Sequence, residues 1–196
     1  MSRLQGSKTL LNLMAAFAGE SQARTRYDLY AEIARNEGHA YLQSIFEETS
    51  KNEIAHAQIF FNYLTDDLKN GEFPVHTNYP IGMFHTTENL LYAAAGEQDE
   101  ATNVYPSFSK IADQEGFKDI ANTFKMISEI EAHHEARFMQ LADQMKSNTL
   151  YKKEQKVYWK CLNCGHVHEG LSAPGVCPVC KHSQGYFYVV QDVVMG

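Results

Sequence analysis

Asn52-Glu53-Ile54-Ala55-His56 decides how this chain is read, because its form returns as Ile130-Glu131-Ala132-His133-His134. In both stretches a glutamate precedes a histidine by three positions. On a helix that spacing sets both side chains on one face. Two further carboxylate positions stand apart from these: Glu20 alone, and Glu97 with Glu100, again three apart. A four-helix bundle that supplies one Glu from each of two helices, and Glu-x-x-His from each of the other two, encloses a dinuclear iron or manganese site. This chain carries that set and one carboxylate more.

The surrounding sequence supplies the four helices. Segments 8–37, 39–65, 86–115 and 117–147 are predicted helical, the first from the apolar stripe Leu10, Leu13, Met14, Phe17 and Ala18. Gly38 and Gly116 each follow a helix where glycine suits a left-handed cap, giving two short hairpin connections. Asp66 to His85, broken by Gly71, Pro74, Pro80 and Gly82, is too long and too interrupted for a hairpin. About 20 extended residues reach over ~60 Å, more than the ~39 Å of a 26-residue helix. The segment can therefore cross the bundle end to end, which predicts a mainly α, ferritin-like four-helix bundle with one long crossover.

The halves of the bundle repeat. Ala18-Gly19-Glu20 matches Ala95-Gly96-Glu97, the Glu37-Gly38 stop matches Glu115-Gly116, and His56 matches His134. Pseudo-twofold symmetry then assigns the site. Glu53 and Glu131 bridge two metals, Glu20 and His56 serve one, and Glu97 and His134 serve the other. Glu100 is the odd ligand, since its repeat counterpart falls near Gln22 or Ala23. The match slips by one residue between Glu97 and Gly116. A π-bulge just ahead of Pro106 would absorb both the extra residue and the proline's clash with the preceding turn.

Other polar candidates sit outside this constellation. Tyr27 and Tyr105 follow matching glutamates by seven and eight residues, as hydrogen-bond donors behind the ligands or as core aromatics. His133 points away from His134 around the helix. His39, His76 and His85 fall at loops or helix ends, where solvent is expected, and His166 and His168 lack ligand spacing.

Beyond residue 150 the character changes, dividing the chain into 1–150 and 151–196. Lys152 to Lys156 reads as a polar linker, and Val157 to Val194 as a small β-rich module. Cys161-x-x-Cys164 and Cys177-x-x-Cys180 form a closed tetrahedral thiolate cage for one iron or one zinc. A structural zinc ribbon is open at this point. The formal charge of −7 shrinks to about −2 once five glutamates are assigned to metals. With no Lys/Arg stripe, nucleic acid is not an expected partner. No apolar run suits a membrane span or a signal peptide, so a cytoplasmic protein is expected.

With both sites in view, the chain resembles a rubrerythrin. Ala16-Phe17-Ala18-Gly19-Glu20-Ser21-Gln22-Ala23-Arg24, Glu53-Ile54-Ala55-His56, Gly96-Glu97-Gln98-Asp99-Glu100, Glu131-Ala132-His133-His134-Glu135 and Trp159-Lys160-Cys161-Leu162-Asn163-Cys164-Gly165 carry the resemblance. It implies a non-haem peroxidase in oxidative-stress defence, with two Fe in the bundle and a rubredoxin-like Fe in the cysteine cage. Hydrogen peroxide is reduced to water by the diferrous site, which leaves it diferric. Electrons return through the rubredoxin-like iron from a reduced donor protein, rubredoxin or its reductase, driven by a pyridine nucleotide. It also implies a homodimer, and an iron that moves with redox state between the ligands matching His56 and Glu100. Some members have a tyrosine where this chain has Ala101. A ferritin-like iron-oxidising protein, and an electron carrier with structural zinc, are the alternatives.

Overall fold

The computed structural model describes residues 3–190, so the last residues of the expected β-rich module, 191–196, lie outside it. Helices α1 (Lys8–Asn36) and α2 (Ala40–Leu68) form the first hairpin. Helix α3 (Thr86–Asp99), a π-helical turn (Glu100–Val104) and α4 (Tyr105–Gln114) run on as one rod, which packs along α5 (Lys118–Lys146) as the second hairpin. Residues 69–85, which have no regular structure, join the hairpins. This is the ferritin-like topology with one crossover. The α2 helix runs three residues beyond the expected 65.

The repeat is visible at the helix ends. Gly38 (φ 85°) and Gly116 (φ 87°) adopt left-handed conformations. Behind them His39 N–H bonds Ala34 O at 2.8 Å and Phe117 N–H bonds Ala112 O at 2.8 Å, closing both helices alike. The preceding glutamates then cap the opposite hairpin. Glu115 accepts from Lys8 N–H (2.9 Å), Thr9 N–H (2.8 Å) and Thr9 Oγ1 (2.6 Å), while Glu37 accepts from Thr86 N–H (3.0 Å). Each carboxylate meets the positive end of a helix dipole and orphan backbone donors. Glu37 also lies 2.7 Å from His85 Nδ1. His85 is thus paired, although it is exposed as expected.

The π-helical turn falls where the one-residue slip predicted it. Tyr105 N–H bonds Glu100 O, five residues back. The widened turn absorbs the extra residue and leaves room for the Pro106 ring. It also brings Tyr105, eight residues after Glu97, into register with Tyr27, seven after Glu20.

Two apolar clusters fill the bundle. Tyr27, Tyr30, Phe46, Leu90 and Phe138 lie toward the Gly38 end. Leu10, Leu13, Phe60, Tyr105 and Phe124 lie toward the other. The glutamates sit between them.

Among the described residues the C-terminal module is a three-stranded antiparallel sheet of β1 (Lys152–Cys161), β2 (Val167–Ser172) and β3 (Phe187–Val190), with β1 in the middle. The supposed linker 152–156 belongs to β1. Lys152 pairs with Ser172, and an irregularity before Val157 lets the polar side chains face solvent while the ladder resumes. Trp159 is fully buried and donates Nε1–H to Gly170 O at 3.0 Å. The module docks on the α1–α2 turn, where Gly185 meets the Gly38 carbonyl closely enough to leave no room for a Cβ. Tyr188 stacks on Tyr41, and the Tyr151 hydroxyl meets Nδ1 of His39 at 3.0 Å. His39 is therefore half-buried at this contact rather than solvated.

Candidate metal centres

Glu20, Glu53, Glu97 and Glu131 are at most 1% exposed, and His56 and His134 are 5% exposed. Four helices deliver them to one place between the two apolar clusters. Two sets of donors are each mutually within 4.8 Å: Glu20, Glu53, His56 and Glu131, and Glu53, Glu97, Glu131 and His134. Glu53 and Glu131 belong to both, and each divides its oxygens between the two sides. His56 Nδ1 lies 3.2 Å from Glu53 Oε2 and 3.0 Å from Glu131 Oε1. His134 Nδ1 lies 3.4 Å from Glu53 Oε1 and 2.8 Å from Glu131 Oε2. The imidazole rings face one another at 6.2 Å.

Electrostatics make this cluster costly without cations. Burial, then repulsion from neighbouring carboxylates, pushes Glu97 up to about 8 and raises Glu100 well above the carboxylate range; burial raises Glu20 likewise, against an opposing contact with His56. Burial also acts against Glu53, but the close imidazoles of His134 and His56, 3.4 and 3.2 Å away, outweigh it and hold that carboxyl at about 2. Burial would lower His134, yet Glu131, Glu53 and Glu97 raise it to about 11. Glu20 Oε2, Glu53 Oε1, Glu97 Oε2, both Glu131 oxygens and His134 Nδ1 are buried without a directed hydrogen bond. Buried polar atoms are nearly always satisfied. Donors orphaned together around one point fit a pair of cations, and carboxylates with a few imidazoles suit iron.

The outer contacts follow the pseudosymmetry crosswise. The Tyr27 hydroxyl donates to Glu97 Oε1, and the Tyr105 hydroxyl to Glu20 Oε1. Each tyrosine is buried and orients the carboxylate of the other half. Asn52 breaks the symmetry. Its Nδ2 lies 3.2 Å from His134 Nε2, whereas its repeat counterpart is Ile130, which has no polar side chain. The sequence reading missed Asn52, whose contact with His134 is made across helices and leaves no local signal. His133 is exposed.

Glu100 stands outside both donor sets. It is half-buried and lines a 110 Å³ cavity with Gly19, Gln22, Arg26 and Gly96, roofed by Thr77 to Pro80 of the crossover.

In the module the four cysteines are free and their sulfurs lie mutually within 4.8 Å. Cys161 and Cys180 are 3.7 Å apart at Sγ, as are Cys164 and Cys177. A tetrahedral ion with bonds of ~2.3 Å requires sulfur separations of roughly 3.8 Å. Both knuckles turn the same way. Gly165 (φ 76°) and Lys181 (φ 64°) donate to Cys161 O and Cys177 O. The His182 N–H holds Cys180 down at about 5. The His166 N–H favours the Cys164 thiolate, but burial and the neighbouring sulfurs push that thiol up to about 12.

A rubrerythrin family profile matches residues 12–142, and a second one, described as the rubredoxin-like domain of rubrerythrin, matches residues 159–188. The chain belongs to the rubrerythrin family. A rubrerythrin of Clostridium perfringens is 46% identical over 98% of this chain and 99% of its own length. One of Nitratidesulfovibrio vulgaris is 41% identical over 95% and 96%. Among solved structures, nigerythrin in its fully reduced, all-ferrous state superposes with a TM-score of 0.64 at 26% identity, over 95% of this chain and 91% of that one. The bundle thus offers a di-iron site and the module a rubredoxin-like iron site.

Proposed function

We propose that this rubrerythrin-family chain is a peroxidase that reduces hydrogen peroxide to water. One observation carries the reading: a buried site with room for two metals and a four-thiolate cage for a third lie on one chain. When bound, a diferrous pair would supply the two electrons that, with two protons, convert one peroxide to two waters. In this reading Glu20 with His56, and Glu97 with His134, would each hold one metal, and Glu53 and Glu131, which belong to both donor sets, would serve both. Tyr27 and Tyr105 hold Glu97 and Glu20 in orientation. Glu100 lies beside the cluster as a spare carboxylate, able to offset the charge gained on oxidation.

The cage is a one-electron relay in this account. Its own module docks at Gly38, and Glu20 lies 18 residues away along α1, about 27 Å at the helical rise. Electron transfer weakens steeply with distance, which favours delivery from the module of a second copy in a homodimer. The ultimate donor is a reduced carrier protein fed by a pyridine nucleotide. Free thiols throughout the cage suit a reducing cytoplasm, and no described helix is long and apolar enough to cross a membrane.

Steady-state assay of the iron-loaded protein tests this reading, with peroxide as oxidant and a reduced rubredoxin-type donor. Sustained peroxide consumption with reoxidation of the cage iron is expected. Deposition of ferric mineral without peroxide turnover would support the iron-oxidising alternative instead.

A further inference from the structure

We propose that Arg26 is a positioning residue that gives Glu100 a second seat, away from the metals. The inference rests on the peroxidase site described above and assigns a role to a residue outside it. Arg26 and Glu100 line the same small cavity, on α1 and on the π-helical turn. The guanidinium is anchored from one side, with Nε donating to Gln22 Oε1 at 3.3 Å and the group lying 5.4 Å from the centre of the Tyr27 ring. Its Nη1 is buried and has no partner. Glu100 falls outside both metal-donor sets. A buried cationic donor and an uncommitted carboxylate thus share one chamber.

Two glycines make the chamber. A Cβ on Gly19 would lie 3.9 Å from Glu100 Oε1, and a Cβ on Gly96 would lie 3.7 Å from Arg26 Nη2. These glycines are repeat equivalents, so the pseudosymmetry opens the space. The pair that occupies it breaks that symmetry: six residues after Glu97, the counterpart of Arg26 is Asn103, and across the π-helical turn it is Val104. Asp99 also lines the chamber, but its Oδ1 accepts from Asn103 Nδ2 at 2.8 Å, which leaves Glu100 as the carboxylate without a side-chain hydrogen bond beside the guanidinium.

Glu100 then has two stable destinations. Turned inward, it adds a carboxylate to the metal pair, which favours the more highly charged oxidised state. Turned outward, it forms a charge-assisted hydrogen bond with Arg26 Nη1, which favours the reduced state. Arg26 sets the balance between them.

The two side chains should consequently shift the bundle potential in opposite directions. Glu100→Ala removes the inward ligand, so the potential rises. Arg26→Gln removes the outward seat, so Glu100 stays on the metals and the potential falls. Loss of the guanidinium charge lowers the potential in any background, and a double-mutant cycle separates that effect. Redox titration of the iron-loaded parent, R26Q, E100A and the double variant, without peroxide, should show R26Q displacing the parent's one-electron equilibrium by about tenfold more than it displaces that of E100A. That difference is about 59 mV. Arg26→Lys, which keeps a charge and a donor, should recover most of the shift, and Arg26→Met replaces R26Q if the latter fails to fold. Equal shifts in both backgrounds, or none, would overturn the seat while leaving the peroxidase reading intact. An E100A potential equal to the parent's would overturn the seat together with the ligand role of Glu100.

Discussion

Tyr105→Phe removes one oxygen and little else. The ring is 1% exposed and packs against Phe60 and Phe124, so its apolar contacts survive. The loss is the hydrogen bond to Glu20 Oε1. Glu20 already has Oε2 buried without a partner, so the variant leaves the whole carboxylate unsatisfied. Hydrogen bonds to charged groups contribute about 1.5–3 kcal/mol, and partners that orient metal ligands are typically worth about 10–100-fold in affinity. The metal held by Glu20 and His56 should therefore bind about tenfold or more weakly, while the Glu97–His134 side keeps its affinity. Tyr27→Phe should produce the mirror result. Anaerobic calorimetric titration of the metal-free bundle with Fe(II), the cysteine cage filled beforehand, resolves the two steps. Unchanged binding in both variants would refute the crosswise support described for the glutamates.

Cys164→Ser should abolish thiolate-to-iron absorption. The reduced bundle should still react once with peroxide, but steady-state turnover should stall; full turnover would make the module structural only. Glu115→Ala leaves the Lys8 and Thr9 donors at the start of α1 uncapped, and chemical denaturation should report a loss of about 1–2 kcal/mol. The metal-free protein should lose stability as pH rises from about 5 to 8. Glu97 is raised to about 8 and His134 to about 11, so the folded state binds more protons than the unfolded chain across that window. With metals in place of those protons the slope should flatten or reverse, and parallel melting curves of the two forms would contradict the cation-free picture of the cluster.

Most of this architecture is written in spacing. Glu-x-x-His twice, matched Glu-Gly stops and a one-residue slip were enough to bring Glu53, His56, Glu131 and His134 to one place and to locate the π-helical turn, because helical periodicity converts sequence offset directly into direction. Contacts between helices were less legible. Nothing local marks Asn52 as reaching His134 on α5, or Arg26 as sharing a chamber with Glu100, since such meetings depend on helix rotation and on space left by distant glycines. His39 was misread for the same reason, as its burial comes from Tyr151 in the module. The stretch 152–156 was misread because its polar side chains conceal a backbone that continues the sheet.

Single-turnover oxidation of the fully reduced, iron-loaded protein tests the central claim most directly. Stopped-flow mixing under anaerobic conditions should show one peroxide consumed per bundle site, two electrons leaving that site, and a slower reaction with dioxygen. A bundle that stays ferrous in the presence of peroxide, or that reacts with dioxygen in preference, would contradict the assignment.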